Sequence, residues 1–496
     1  MSEPLGIVIN STTVDKLEFI ASRSVKIGEF VTFDTDDGST LGFVKDSIIE
    51  SILFNKDEIK NYQAAKEARD LKINNQRDKS RMAFVNVLGL VEPFKNGLKV
   101  MPSLPPEPGT NIYEADKDTL NEIFRKNSKE WVKIGNLLRM PSIDVYVNVN
   151  QIVSRHLAIL ATTGSGKSNL LALLIKKIAD LNGTVILFDY HGEYSELDIK
   201  NVKHMIPKIN PRKLELEEFA DMIDIKEHAS RQRGILTEAF KDAKDSNDFW
   251  DTLFKAIESI ALTKRGEERY VADRVLEIVQ NSRERLKNIL DPEIEGLDQL
   301  EEHKINIFNM LELNERQASI LVAYYAKEIL VDRRSAKKKK FKSPLLIALE
   351  EAHAFIPTGE HNKTSEVMAK IAREGRKFGV GLVIISQRPS KIDQNVLSQM
   401  NSLAISRIIQ PKDQNYIMDI IESIPSELLK HLPSLNTGEV LLTGRWVTIP
   451  SLVKVDKVEE KISGTDINAV KEWDDSIDTL KKGERTSDLI IRPDNE

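Results

Sequence analysis

The apolar positions of this 496-residue chain change rhythm along its length. In the first third they come as short alternating or apolar runs: LGIVIN, KLEFIA, EFVTFD, TLGFVK, MAFVNVLGLV and LKVMP. Polar and glycine-containing turns separate them, and strands of that length and spacing predict a small β-barrel over residues 1–110. The charged stretch KDEIKNYQAAKEARDLK interrupts the strands and reads as an exposed helix or long loop. The turn-rich PSLPPEP of residues 102–108 marks the barrel's end, and residues 111–131 read as a helical link.

From residue 132 the runs become continuous: LAILA, TVILFDY, INIFNM, PLLIALEE, GVGLVIIS and SLAISRI. Strands buried on both faces of a parallel sheet read this way, so an α/β core is expected over 132–209 and 301–455. Between its two parts, over 210–300, Phe249, Leu253 and Ile257 with Phe254 and Ala261 recur at helical spacing. Val271, Val275, Ile278 and Val279 do the same. That spacing predicts an inserted helical bundle whose stripes are core packing. Residues 456–496 form a polar tail with one apolar patch at Leu489 to Ile491.

Composition narrows the classes. At 41% hydrophobic and 30% charged residues the chain reads as soluble and globular, in several domains. No apolar run approaches the roughly 18 residues of a membrane span, and the start has no basic region followed by an apolar one. Zero cysteines exclude disulfides and thiolate metal sites and fit the cytoplasm. The net charge of −6 is unlike that of a protein that coats nucleic acid, so any DNA handling must concentrate its basic groups in a groove or channel. The basic run RRSAKKKKFK, residues 333–342, reads as a solvated loop, with nucleic-acid contact as the alternative.

The chemistry begins at LAILATTGSGKSNLL, residues 157–171. It closes on Gly166, Lys167 and Ser168 as the phosphate-binding pattern G-x-x-x-x-G-K-S/T requires, but Ala161 stands at the first glycine. An apolar strand enters the loop and NLLALLIKKIA leaves it as a helix, which aims backbone N–H groups and a helix N-terminus at phosphate. The expected ATP contacts are Thr162, Thr163, Gly164, Ser165, Gly166, Lys167, Ser168 and Asn169. Lys167 reaches the β- and γ-phosphates, and the Ser168 hydroxyl ligates Mg²⁺. The first glycine falls at the strand end, where a one-carbon side chain is tolerated.

Hydrolysis needs a water-activating group and a second hold on Mg²⁺. PLLIALEEAH ends an apolar strand in Glu350 and Glu351, and neighbouring buried carboxylates call for a cation nearby. Glu350 is expected to orient Mg²⁺ through water and Glu351 to polarise the attacking water. The same pair also suits a helix start, where acids are favoured. Gln387, after GVGLVIIS, falls where a polar side chain senses the γ-phosphate or positions the water. FDYHGEY sets Asp189, His191 and Glu193 on the same sheet edge, where open α/β sheets bind ligands. Eight histidines without cysteine or H-E-x-x-H leave no convincing zinc set.

Together ATTGSGKSN, FDYHGEY, LLIALEEAH, REGRKFGVGLVIISQRPS and GEVLL resemble the HerA branch of the HerA/FtsK superfamily of hexameric DNA-pumping ATPases. The resemblance spans nearly the whole chain, including the barrel. It implies a RecA-like P-loop core in a homo-hexameric ring, with ATP at subunit interfaces and Asp189 near the nucleotide. A neighbour supplies an arginine, for which Arg376 is favoured and Arg373 held in reserve; Arg139, in LLRMP, is a further phosphate contact, and Arg407 stays open. Lys363 and Lys391, after the catalytic and sensor strands, are pore-loop contacts to double-stranded DNA. The family works with a NurA-type nuclease in DNA end resection, so a helicase of the cytoplasm and nucleoid is expected, with the tail bracing a neighbouring subunit. Two rivals stay open: an ATP-binding scaffold that assembles a nuclease without pumping DNA, and a conjugation-type coupling ATPase of the same superfamily.

Overall fold

A computed structural model of the protein describes residues 3–51, 54, 59, 61–72, 79–336, 339–360, 362–420, 429, 431–460 and 473. The apolar patch at Leu489 to Ile491 and nearly all of the tail expected to brace a neighbour lie outside them. So do two residues of the basic run.

The N-terminal region is a closed barrel. Its strands are β1 (Gly6–Ile9), β2 (Lys16–Ala21), β3 (Phe30–Thr35) and β4 (Gly38–Ser51), then, after helix α1 (Tyr62–Lys72), β5 (Lys79–Leu90). A short helix α2 (Val91–Lys95) leads to β6 (Asn111–Glu114), and the sheet order is β1-β2-β5-β4-β3-β6. Alternation makes the barrel: β2 buries Leu17, Phe19 and Ala21 and turns Lys16 and Ile20 outward. The inward residues form a core of their own with Val31, Phe33, Val85 and Ile112.

Residues 111–114 were expected in the helical link and instead close the barrel, pairing with β1 on one side and β3 on the other. A four-residue strand carries too little alternation to be distinguished from a turn. LKVMP forms no strand, although the Val100 carbonyl accepts the Leu90 N–H. Helix α3 (Lys117–Phe124), capped by Asp116, follows β6.

The core opens with β7 (Trp131–Leu137), β8 (Asp144–Asn148), α4 (Val149–Arg155), β9 (Leu157–Leu160) and α5 (Lys167–Asp180). It continues through β10 (Thr184–Asp189) and β11 (Val202–Met205) into the inserted helices α6 (Leu216–Met222), α7 (Ser230–Lys244), α8 (Phe249–Thr263) and α9 (Glu267–Arg285). Phe219, Phe240, Phe249 and Trp250 pack together inside these helices. Then come β12 (Ile305–Asn309), α10 (Glu315–Arg334), β13 (Leu345–Leu349), α11 (Ala352–Phe355), α12 (Lys363–Phe378) and β14 (Val380–Ser386). The described chain ends with α13 (Gln394–Leu397), β15 (Ser402–Ile405), α14 (Pro411–Ile420), β16 (Glu439–Gly444) and β17 (Ser451–Val455).

The sheet order is β11-β12-β10-β13-β14-β9-β15-β16-β17-β7-β8. From β11 to β15 the pairing is parallel, and β9, β10, β13, β14 and β15 are buried along their whole length. The last four strands add an antiparallel wing that the continuous apolar runs did not signal. Two chain segments meet there, with β7 preceding the phosphate loop and β17 following everything else. The barrel rests against the antiparallel wing, where Arg139 Nε, just beyond β7, donates to the Ile27 carbonyl at 2.9 Å. No described helix is long and apolar enough to cross a membrane.

Candidate active site

The phosphate loop links β9 to α5. Gly164 and Gly166 take φ of +73° and +99°, the left-handed region that glycine enters without strain. Ala161 is fully buried and has no positive φ, so the first glycine of the pattern is dispensable here. Among the described residues, the backbone N–H groups of Thr163, Gly164, Gly166, Lys167, Ser168 and Asn169 donate to nothing in the chain. Six free donors at the N-terminus of a 14-residue helix form a cradle for phosphate.

The loop is held from outside. Thr162 gives its N–H and hydroxyl to the Arg407 carbonyl, and the Ser165 hydroxyl turns inward to the Thr162 carbonyl at 2.5 Å. Thr437 Oγ1 donates to the Gly164 carbonyl at 3.0 Å, and the Gly438 N–H donates to that of Ser165 at 2.9 Å. The Asn169 side chain faces away from the cradle. It accepts the Val458 N–H and donates to the Asp456 carbonyl, each at 2.9 Å, so of Asn169 only the backbone is left for a nucleotide.

Lys167 sits in a nest of carboxylates. Its Nζ lies 3.0 Å from Glu351, 3.5 Å from Glu350 and 3.5 Å from Glu193. Burial works against its charge, but the three glutamates outweigh it and raise its pKa. Ser168 Oγ donates to Glu193, which the sequence placed only on this edge of the sheet. Asp189 is fully buried and spends both oxygens on the N–H groups of Glu193 and Tyr194, at 3.0 and 2.9 Å. It therefore shapes the 190–194 turn instead of reaching toward the loop.

The two adjacent glutamates part company electrically. Burial pushes Glu350 up to about 9, helped by the negative charge of Glu193 and opposed by Lys167. For Glu351 burial pushes upward too, yet His353, Lys167 and Gln387 hold it down at about 2. Glu351 has a left-handed backbone (φ 46°, ψ 47°), strain of the kind stored at functional sites. One oxygen accepts from Gln387 Nε2 at 2.5 Å, and His353 Nδ1 stands 3.2 Å from the other. Thr163 Oγ1 donates to the Gln387 amide oxygen, which sets that amide's orientation. A chain of contacts thus runs from phosphate loop to sensor strand to an ionised carboxylate.

The donor set fits Mg²⁺. Ser168, Glu193, Glu350 and Glu351 offer only oxygens, and a dication offsets the repulsion that raises Glu350. Among the described residues no three acidic, His or Cys groups form a ready-made cage. Magnesium suits such a place because it borrows phosphate oxygens.

Arg373 and Arg376 lie elsewhere. Both are exposed near the carboxyl end of α12, at the opposite edge of the sheet. Arg155 and Arg445, which sequence reasoning passed over, join them. Arg155 is held below its usual pKa by burial and by the charges of Arg376 and Arg445. Arg139 lies just beyond β7, against the barrel, where its Nε donates to the Ile27 carbonyl. Lys363 is paired with Glu218 of α6 at 2.8 Å and faces Glu217, Asp221 and Glu315 across a cavity of about 730 Å³. A DNA contact there must break that pair against an acidic wall. Lys391 is exposed, in a turn bridged to the loop after α11 through Pro357 and Ile392.

Residues 132–329 match the family described as the central domain of helicase HerA. The chain is 33% identical over 489 residues to the DNA double-strand break repair helicase HerA of Sulfurisphaera tokodaii, covering 95% of this chain and 96% of that one. A probable helicase of Methanocaldococcus jannaschii is 34% identical over 493 residues, covering 95% and 94%. Among solved structures, the plasmid coupling protein TrwB in complex with a non-hydrolysable ATP analogue aligns with 71% of this chain and 94% of that chain. Its identity is 14% and its TM-score 0.48.

Proposed function

This chain belongs to the HerA family of helicases, and from that premise we propose that it is a ring-forming, DNA-dependent ATPase that pumps duplex DNA. The observation that carries the reading is the contact chain Thr163–Gln387–Glu351–Lys167, which joins a phosphate cradle to an ionised carboxylate. The free N–H groups of the loop and Lys167 hold the triphosphate. Ser168 and Glu350 would hold Mg²⁺, which would supply charge neutralisation on the phosphates. Glu351, kept ionised, takes the proton of a water whose oxygen attacks the γ-phosphorus, while Gln387 fixes the orientation of that carboxylate. The bond to the β-phosphate oxygen breaks, leaving ADP and phosphate.

The remaining cation comes from the next protomer. Arg376, with Arg373 and Arg155 beside it, lies at the edge that a head-to-tail neighbour presents to this site. Six protomers carry six times the net charge of −6, so the DNA grip is confined to pore loops, with Lys391 the freer of the two lysines named. Such contacts carry no sequence preference and weaken steeply with salt. A NurA-type nuclease docked on the barrel end uses the translocated DNA for end resection.

The test is ATP turnover with and without linear duplex DNA, beside a native mass measurement. Turnover stimulated by DNA in a six-fold assembly is expected; a monomer indifferent to DNA ends the motor reading. Undiminished resection by Glu351→Gln together with the nuclease would favour the scaffold instead.

A further inference from the structure

His156 is the last residue before the strand that feeds the phosphate loop, and nothing above uses it. It is 2% exposed, and both ring nitrogens are taken. Nδ1 accepts the Leu382 N–H of β14 at 3.0 Å, and Nε2, which therefore carries the proton, donates to the Ala372 carbonyl of α12 at 3.0 Å. The β9–β14 ladder begins one step later, at Leu157 opposite Val383. The imidazole thus supplies the bond that Leu382 would otherwise seek from a strand.

The backbone at His156 is strained, with φ 65° and ψ 162°, a region that belongs almost wholly to glycine. Glycine would relieve the strain and lose the ring. The sharp turn brings α4 hard against β14, where a Cβ at Gly381 would meet the Val153 backbone at 2.7 Å. On the outer side of the same turn is a cavity of about 390 Å³, lined by Arg155, Arg373, Arg376 and Lys377 with no carboxylate. Its floor is His156. Among the described residues none of these four cations makes an ion pair. Arg373, Arg376 and Lys377 are exposed, so the four cations form an outward-facing basic patch that an anion from outside the chain can reach.

We propose that His156 is a positioning residue. Its ring ties α12, which carries Arg373 and Arg376, to the strand entering the phosphate loop, so that the cations a protomer lends its neighbour move as one body with its own nucleotide loop. The inference rests on the proposed sharing of arginines between protomers. It fixes the arginines offered to the next site against the strand that enters the protomer's own loop, whether or not that loop holds nucleotide.

Mixed rings test it. His156→Phe keeps the bulk and loses both hydrogen bonds; it is expected to assemble and to bind ATP within about twofold of the parent, with turnover reduced ~10²-fold, the loss that misplacing a catalytic group brings. His156→Gln, which retains a donor and an acceptor, is expected to recover most of that turnover. Lys167→Ala protomers have no working loop but intact cations. Mixing them with His156→Phe protomers is expected to restore turnover, because intact loops then meet intact cations. An Arg376→Ala and Lys167→Ala mixture is the control. If the control recovers and the His156→Phe mixture does not, the residue acts only within its own protomer and the proposal falls. If neither recovers, the sharing of arginines itself is wrong. Should His156→Phe fail to fold, the same mixture made with His156→Asn, read by the same recovery, decides between these outcomes.

Discussion

The two ends of strand β9 meet opposite charges. Beyond its carboxyl end, Glu193, Glu350 and Glu351 crowd around one lysine and a row of unpaired N–H groups. Before its amino end, Arg155, Arg373, Arg376 and Lys377 share a cavity without an acid. Neither end is electrostatically complete. The acidic end is short of positive charge around a triphosphate, and the basic end has cations with nothing to neutralise. A single chain cannot bend one edge of a sheet onto the other, but in the proposed ring a second copy laid head to tail would bring them together. Heterologous contacts of that kind close into rings.

The largest effect that sharpens the contrast is at the acidic end. Glu351→Gln keeps the shape and the Gln387 contact and removes the base. Turnover is expected to fall by ~10³-fold or more, within the range for losing a general base assisted by its surroundings, while nucleotide affinity stays within a few-fold. Steady-state phosphate release and equilibrium binding of a fluorescent ATP analogue measure the two. Loss of affinity equal to the loss of turnover would show Glu351 to be a binding group and break the assigned division of labour.

Arg376→Ala is the counterpart at the basic end. A cation delivered in trans is worth ~10³-fold or more in such sites, so a comparable fall in turnover is expected, with binding to the protomer's own loop unchanged. The discriminating measurement is its dependence on assembly. In the parent, turnover per protomer rises with protein concentration as rings form; in Arg376→Ala it stays flat. A variant as active as the parent would shift the role to Arg373 or Arg155.

The acidic end was far more legible in the sequence than the basic one, for a physical reason. Phosphate binding and water activation demand particular residue types at fixed places on a strand–loop–helix unit, so Gly164, Lys167, Ser168, Glu350 and Glu351 stand out within short windows. The basic end is assembled from α4, α12 and the β16–β17 turn, which are distant in sequence, and one arginine among many carries no pattern. Thus Arg155 and Arg445 were missed. Side-chain partners that lie far away in sequence were not legible either: the Asn169 amide is tied to residues 456 and 458, and Lys363 pairs with Glu218. The parallel strands were readable because burial on both faces makes continuous apolar runs. The wing of β7, β8, β16 and β17 was not, since its pairing joins segments some 300 residues apart.

The joint between the two ends has its own signature in pH. Burial, aided by the charge of Arg155, lowers His156 to about 4, whereas in the unfolded chain it titrates near its ordinary ~6.5. Between those values the unfolded chain binds the extra proton, so stability falls as the pH falls through that window. From pH 7 to pH 5 this one residue is expected to remove about 2 kcal/mol. Comparing urea midpoints of the parent and His156→Gln at both pH values isolates it from the carboxylates. Equal slopes would mean that the ring is protonated in the folded protein and cannot accept the Leu382 N–H.

The smallest expected effect concerns Ala161, where the chain departs from the phosphate-loop pattern. Restoring the glycine changes nothing that touches phosphate, because the free N–H groups begin at Thr163 and the left-handed turns are made by Gly164 and Gly166. Ala161 itself is fully buried, its N–H donating to the Ser386 carbonyl at 3.1 Å as the last rung beside the sensor strand. Glycine there adds freedom to the unfolded chain and removes a packed methyl group. Ala161→Gly is therefore expected to leave ATP affinity and turnover within about twofold and to lower stability by roughly 1 kcal/mol, read as a drop of a few degrees in melting temperature. A gain in nucleotide affinity would place the first motif position in contact with phosphate and extend the acidic end's cradle by one residue toward β9.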